Sequence, residues 1–371
     1  MSAEPMVRVA MEATSLLGPR TGVGAMTSAL VERLAASPDV DLTGVLVSWR
    51  GRRHFADRLP PSVEAKALAV PARLAHRLWQ RIDRPALRGF DVAHGPNFVV
   101  PPAPGAVELV TIHDFGPWHN PDRVTPHARA YPTLVGRALG RGAHVHTVSE
   151  FVAGEAQELL DLPADRVHTI ANGFTSGTAG NRTRGRALGG GDYVLALGTI
   201  EPRKDLPTLV AAMADVWSDH PDVRLVVAGA DGWGTEAFEA SVDRFDGRDR
   251  VVRLGYVSDA ERFDLLAGAR CLAYPSVYEG FGLPPLEAMG QGCPVVTTTA
   301  GALPEVCGDA ARFVEPHDPA GLAAALTEVI SDDELQGRLV EAGRGRVARY
   351  SWERMADAMR ALYHRLRDAR S

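Results

Sequence analysis

Short runs of apolar residues alternate along the chain with longer stretches in which apolar positions recur every three or four residues. The runs predict strands at 7–13, 42–49, 91–95, 107–114, 144–149 and 166–172, and again at 193–198, 223–229, 251–256, 271–276, 294–299 and 311–315. Several are apolar without alternation, as strands buried on both faces should be. Stretches 205–219 and 318–330 carry helical spacing. Strand–helix alternation predicts parallel, doubly wound sheets. It is interrupted once, at 175–192, where Gly, Ser, Thr and Arg dominate and large apolar residues are few. That composition predicts an interdomain linker. The expected organisation is two α/β domains facing a cleft: 1–176, a linker 177–191, then 192–349. A final amphipathic helix, 350–371, is expected to cross back onto the first domain.

Composition narrows the picture without changing it. With 371 residues there is room for two cores of ordinary size. A net charge of −6 argues against a general nucleic-acid binder. Cys271, Cys293 and Cys307 form no C-x-x-C pair and sit in or beside apolar runs, which suits buried thiols in a reducing cytoplasm. The first residues lack a basic segment followed by a long apolar one, so no secretory leader is expected. No apolar run approaches the roughly 20 residues needed to span a bilayer.

The densest chemistry lies in YEGFGLPPLEAMGQGCPVV, residues 278–296. It follows a strand, and ligands of open α/β sheets sit beyond the carboxyl ends of strands. Pro284 and Pro285 favour a helix start there. Backbone N–H groups at Gly282 and Leu283 would then form an anion site. Glu279 precedes this helix and Glu287 lies about one turn into it, so both can face one ligand. A second site, LGTIEPRKDL (197–206), places Arg203 and Lys204 before a helix, where they can clamp a diphosphate. In LLGPRTGVGAMTSAL (16–30), Gly22 and Gly24 precede a helix, but Thr27 stands where a dinucleotide fingerprint needs its third glycine. This disfavours a Rossmann oxidoreductase. His113 and Asp114 end a strand in TIHDF (111–115), and His94 ends another. The one D-x-D string, Asp39-Val40-Asp41, precedes a strand rather than ending one and is not read as a metal site. Between 73 and 89, Arg73, Arg77, Arg81, Arg84 and Arg88 accompany Leu74, Leu78, Trp79 and Ile82. That segment suits either an ordinary surface helix or contact with an anionic membrane.

GTIEPRKDL, GYVSDAERFDLLAGA and PSVYEGFGLPPLEAMGQGCPVVTTTAGALPEVCGDAARFVEP together resemble the large family of retaining GT-B glycosyltransferases (glycosyl transferases group 1), which contains bacterial α-mannosyltransferases and sucrose synthases. SLLGPRTGVGAMTSAL, HGPNFVVPP, TIHDF and HTVSEF extend the resemblance over the first half. It implies two Rossmann-like domains, with a nucleotide sugar held mainly by the second and the acceptor by the first. It also implies a set of roles. Glu279 would contact the donor sugar and Glu287 the ribose. The backbone at Phe281, Gly282 and Leu283 would hold sugar and phosphate. Arg203 and Lys204 would bind the diphosphate, with Gly22 to Gly24 closing over it. His113 would sit near the reacting sugar, and Tyr256 and Val257 would line the base.

One departure stands out: many members carry Arg directly after the glycine that ends the first strand of the second domain, and here that place is Thr199. Arg203 is expected to supply the missing charge. The resemblance makes GDP-mannose the leading donor, followed by UDP-glucose and TDP-sugars, with a hydroxyl-bearing acceptor. No metal or other cofactor is expected, and the expected location is cytoplasmic, with peripheral contact at the inner face of a membrane through 73–89. A sugar-nucleotide epimerase on the same architecture and a nucleotide-sugar-binding protein without turnover are the alternatives. A glycogen-type phosphorylase would need a much longer chain and a pyridoxal-phosphate lysine.

Overall fold

The computed structural model describes residues 5–18, 22–49, 51–121, 124–175, 177–245 and 248–370. The chain divides into two units, Met1–Gly173 with Ser351–Ser371, and Phe174–Tyr350. In the first unit, β1 (Val7–Glu12), β2 (Val40–Val47), β3 (Glu64–Leu68), β4 (Val92–Gly95), β5 (Val107–Ile112), β6 (His144–Thr147) and β7 (Val167–Thr169) form a parallel sheet ordered β3-β2-β1-β4-β5-β6-β7. In the second, β8 (Tyr193–Leu197), β9 (Arg224–Ala228), β10 (Val251–Gly255), β11 (Cys271–Tyr274), β12 (Val295–Thr298) and β13 (Ala311–Val314) form a parallel sheet ordered β10-β9-β8-β11-β12-β13. Strand order reverses between β1 and β4 in one sheet and between β8 and β11 in the other. Such reversal points open a crevice beyond the strand ends, because the flanking connections run to opposite faces. The doubly wound expectation therefore holds for both units.

Two elements were not expected. β3 (EAKAL) has no apolar run, because it is an edge strand and most of its side chains are exposed. The stretch expected as a linker contains a helix, Arg182–Gly189, capped by the Asn181 side chain, which accepts from Arg184 N. It packs on the helix Asp259–Gly268. A Cβ on Gly185 would lie 1.9 Å from Asp264 O, so glycine is needed here for close helix approach rather than for flexibility.

The last helix, Trp352–Asp368, belongs to the first unit, as expected. Met355, Met359, Leu362, Tyr363 and Leu366 are buried in one core with Val9, Met11 and Leu30. Its charged edge is tied as well. Arg360 and His364 reach Asp39 Oδ2 at 3.0 and 2.9 Å, so the first aspartate of the D-x-D string is a structural anchor.

Candidate functional site

The site of the second unit is assembled at its reversal point. Chain leaving β8 passes Gly198 and Thr199 into a short 3₁₀ turn, Pro202–Lys204, and then the helix Leu206–Asp219. Chain leaving β11 passes Pro275 to Phe281 into the helix Leu283–Gly290. Val277 N donates to Arg203 O at 2.8 Å, which locks the two loops together. Gly282 opens the second helix at φ 126°, a conformation that side-chain-bearing residues rarely adopt. Pro284 and Pro285 follow in its first turn, as expected.

Glu279 is the centre of this arrangement. Its Oε1 lies 2.6 Å from both Lys204 Nζ and Arg203 Nη1, and accepts from Tyr274 Oη at 3.0 Å. Its main-chain oxygen accepts from Ala302 N at 2.9 Å, so the loop holding it is fixed from β12 as well. Lys204 also donates to Tyr274 Oη and lies over that ring, 4.0 Å from its centre. Glu279 and Lys204 are each 7% exposed. Burial resists ionisation of Glu279, but the neighbouring Arg203 and Lys204 outweigh it and hold the carboxyl down at about 2. Burial brings Lys204 down to about 8 although Glu279 pulls the other way. The carboxylate is shared with Arg203, so it cannot offset the whole cost of burying the ammonium. Arg203 bonds in addition to Glu201 at 2.9 Å and is part exposed.

Glu287, in the helix Leu283–Gly290, does not join this cluster. Its Oε1 lies 3.3 Å from Arg262 Nη2. Burial, opposed by Arg262, pushes its carboxyl up to about 7. The two glutamates thus differ sharply: one is held ionised, and the other changes charge near neutrality. Thr199 lies half-buried at the end of β8, and Val257 is half-buried beyond β10. Tyr256 is 72% exposed, so its ring is open to stacking. Sequence reasoning missed Tyr274, Glu201 and Arg262. Tyr274 ends β11 directly before the Glu279 loop, and that placement was its only signal.

In the first unit, Gly22 and Gly24 lie in the first turn of the helix Gly22–Leu34. Pro19 to Thr21 of that glycine-bearing segment lie outside the described residues. His113 follows β5, and its Nε2 donates to Pro96 O at 2.8 Å. Burial lowers its basicity. The ring is therefore neutral, with Nδ1 as its acceptor. Phe98, at φ 58°, packs edge-on against His113 and stacks on Tyr131 at 4.7 Å. His94 has a different part. Its nitrogens bond Tyr363 Oη at 2.7 Å and Thr111 Oγ1 at 2.8 Å, inside the core. Among the described residues, no group of three or more His, Cys, Asp or Glu side chains is placed to hold a metal ion.

Comparison with known proteins identifies the family and the fold. Residues 181–346 match the family described as glycosyl transferases group 1, and residues 20–176 match glycosyltransferase family 4. O-antigen chain mannosyltransferase B of Escherichia coli is 30% identical over 373 residues, covering 90% of this chain and 93% of that protein. O-antigen chain mannosyltransferase RfbU of Salmonella typhimurium is 27% identical, covering 67% of each. Among solved structures, sucrose-phosphate synthase from Thermosynechococcus elongatus superposes with a TM-score of 0.76 at 20% identity, over 98% of this chain and 100% of that one. Anabaena HepE in complex with UDP and glucose superposes with a TM-score of 0.73 at 16% identity, over 96% of this chain and 99% of that one. The chain belongs to the glycosyl transferases group 1 family and is a glycosyltransferase of GT-B fold.

Proposed function

We propose that the protein moves a hexose from a nucleotide sugar to a hydroxyl acceptor with retention at the anomeric carbon, and that the donor is GDP-mannose. The observation that carries the donor site is the pairing of Lys204 and Arg203 on one oxygen of Glu279, at the reversal point of the second sheet. Two cations beside the N-terminus of the helix Leu283–Gly290 present positive charge where a diphosphate would sit. The two O-antigen mannosyltransferases among the relatives favour mannose.

In this reading the sugar C1–O bond to the β-phosphate breaks as the acceptor oxygen bonds to C1 on the same face. The acceptor proton passes to the departing phosphate oxygen. Charge growing on that phosphate is met by Lys204, Arg203 and the backbone at Phe281 to Leu283, which are already fixed in place. Glu279 orders the two cations and meets the sugar hydroxyls, and Glu287 meets the ribose. Tyr256 and Val257 take the base, beside Thr199 at the end of β8. His113, Gly22 and Gly24 are acceptor-unit residues in the same reading. Side-chain cations replace a divalent metal, so turnover is metal-independent.

A thermal-shift screen of GDP-mannose, UDP-glucose and TDP-sugars tests the donor, since a ligand that binds only the folded state raises its midpoint. Anomeric NMR of the transfer product tests retention. Stabilisation by a UDP- or TDP-sugar alone would replace the donor, and an inverted product would refute the proposed chemistry.

A further inference from the structure

The segment that follows β3 presents two faces with different tasks. The helix Ala72–Trp79 continues in hydrogen bonding to Ile82, whose N–H donates to Leu78 O. Its inner face is satisfied by the first unit. Ala75 and Trp79 are buried, and the Trp79 indole N–H donates to Pro85 O at 2.9 Å. His76 stacks on His127 at 4.9 Å. The outer face repeats every four residues in two parallel stripes. Leu74, Leu78 and Ile82 make one, with Leu74 46% and Ile82 49% exposed. Arg73, Arg77 and Arg81 make the other, all exposed, and Arg84 and Arg88 extend the charge. The single acid of the segment, Asp83, is turned to Arg137 and Arg141 at 2.8 and 3.0 Å. Among the described residues none of these five arginines has an ion-pair partner.

We propose that this outer face docks on an anionic lipid surface, with Leu74, Leu78 and Ile82 in the acyl boundary and the arginines among the headgroups. The proposal is independent of the donor reading. An aliphatic stripe and a basic stripe side by side match a bilayer interface, where apolar chains lie just beneath a sheet of negative charge. A polyanion such as nucleic acid would take the arginines and leave three aliphatic side chains in water. The chain as a whole carries a net charge of −6, so attraction to an anionic surface has to come from a local basic patch such as this one.

Vesicle flotation of the full chain tests it, comparing phosphatidylcholine vesicles with vesicles containing phosphatidylglycerol. The native protein should float with the anionic vesicles, stay behind with the neutral ones, and release as salt is raised. Each basic side chain near the surface contributes about fivefold in binding. Arg73→Gln/Arg77→Gln/Arg81→Gln should therefore weaken binding on the order of a hundredfold. Leu74→Gln/Ile82→Gln should weaken it by about tenfold or more. All five positions are exposed, and circular dichroism with a thermal midpoint confirms that both variants fold. Absence of anionic-vesicle binding by the native protein overturns the proposal. So does native-like flotation of the Leu74/Ile82 variant, which would show plain adhesion of arginines to negative charge.

Discussion

Replacing Glu279 by Gln should strengthen the grip on a nucleoside diphosphate while weakening turnover. Lys204 Nζ and Arg203 Nη1 both rest 2.6 Å from one Glu279 oxygen. In the proposed complex a phosphate has to compete with that carboxylate for both cations. Glutamine keeps the shape and removes the charge. A charge-assisted hydrogen bond is worth about 1.5–3 kcal/mol net, so freeing one of the two should tighten GDP binding about ten- to a hundredfold. A second effect opposes the first. Burial brings Lys204 to about 8 even with Glu279 raising it, so loss of Glu279 must lower it further. Above the new value Lys204 is neutral, and binding phosphate must first draw a proton, at a cost of about tenfold per pH unit. The gain should therefore be largest near pH 6.5 and shrink toward pH 8.5. Calorimetric titration of both proteins with GDP across that range gives the ratio, from which the ligand's own ionisation cancels. Glu279→Gln binding GDP no more tightly than the native protein at pH 6.5 would refute the idea that this carboxylate and a phosphate share the same cations.

Four further outcomes follow from the same geometry. Lys204→Ala should lower kcat by about 100- to 1,000-fold, the usual loss for one donor to developing charge; near-native kcat would reduce Lys204 to a structural residue. Glu287, with its carboxyl near 7, gains charge as pH rises from 6 to 8. GDP-mannose, whose phosphates do not titrate there, should bind more tightly across that interval, and Glu287→Gln should flatten the profile and raise the donor KM about tenfold to a hundredfold. Tyr363→Phe removes the buried partner of His94 and should cost about 1–3 kcal/mol in urea unfolding, with donor KM unchanged. EDTA should leave turnover intact; its loss, with recovery on Mg²⁺ or Mn²⁺, would put a metal on the diphosphate.

Much of this was legible in the sequence because it depends on local pattern. Buried parallel strands read as continuous apolar runs, and proline pairs mark helix starts, so the strand ends bearing Lys204 and Glu279 could be located. The linker reading failed for a physical reason. Glycine marks both freedom and closeness, and at Gly185 only the neighbouring helix shows which applies. β3 escaped because an edge strand has no second layer to bury and keeps charged side chains. The different settings of Glu279 and Glu287 were also invisible. Seven residues separate them from each other, but Arg203 and Lys204 hold Glu279 ionised, whereas burial dominates at Glu287 over its one opposing cation, Arg262; all three cations are distant in sequence. Which cation a carboxylate meets is decided by the crossovers between strands.

The return of the last helix to the first unit has a consequence for synthesis. The chain leaves that unit at Gly173 and rejoins it at Ser351, and the two crossings touch, since a Cβ on Gly173 would lie 2.3 Å from Trp352 N. On a ribosome, the second unit has all its residues before the first does. The ordinary order, in which the N-terminal domain matures first, is therefore reversed. Until its final seventeen-residue helix emerges, the first unit waits with one side of its β1 core uncovered, Asp39 lacking Arg360 and His364, and His94 lacking Tyr363. Premature termination anywhere before Ser351 would thus release a nascent chain whose start, not only its end, cannot mature.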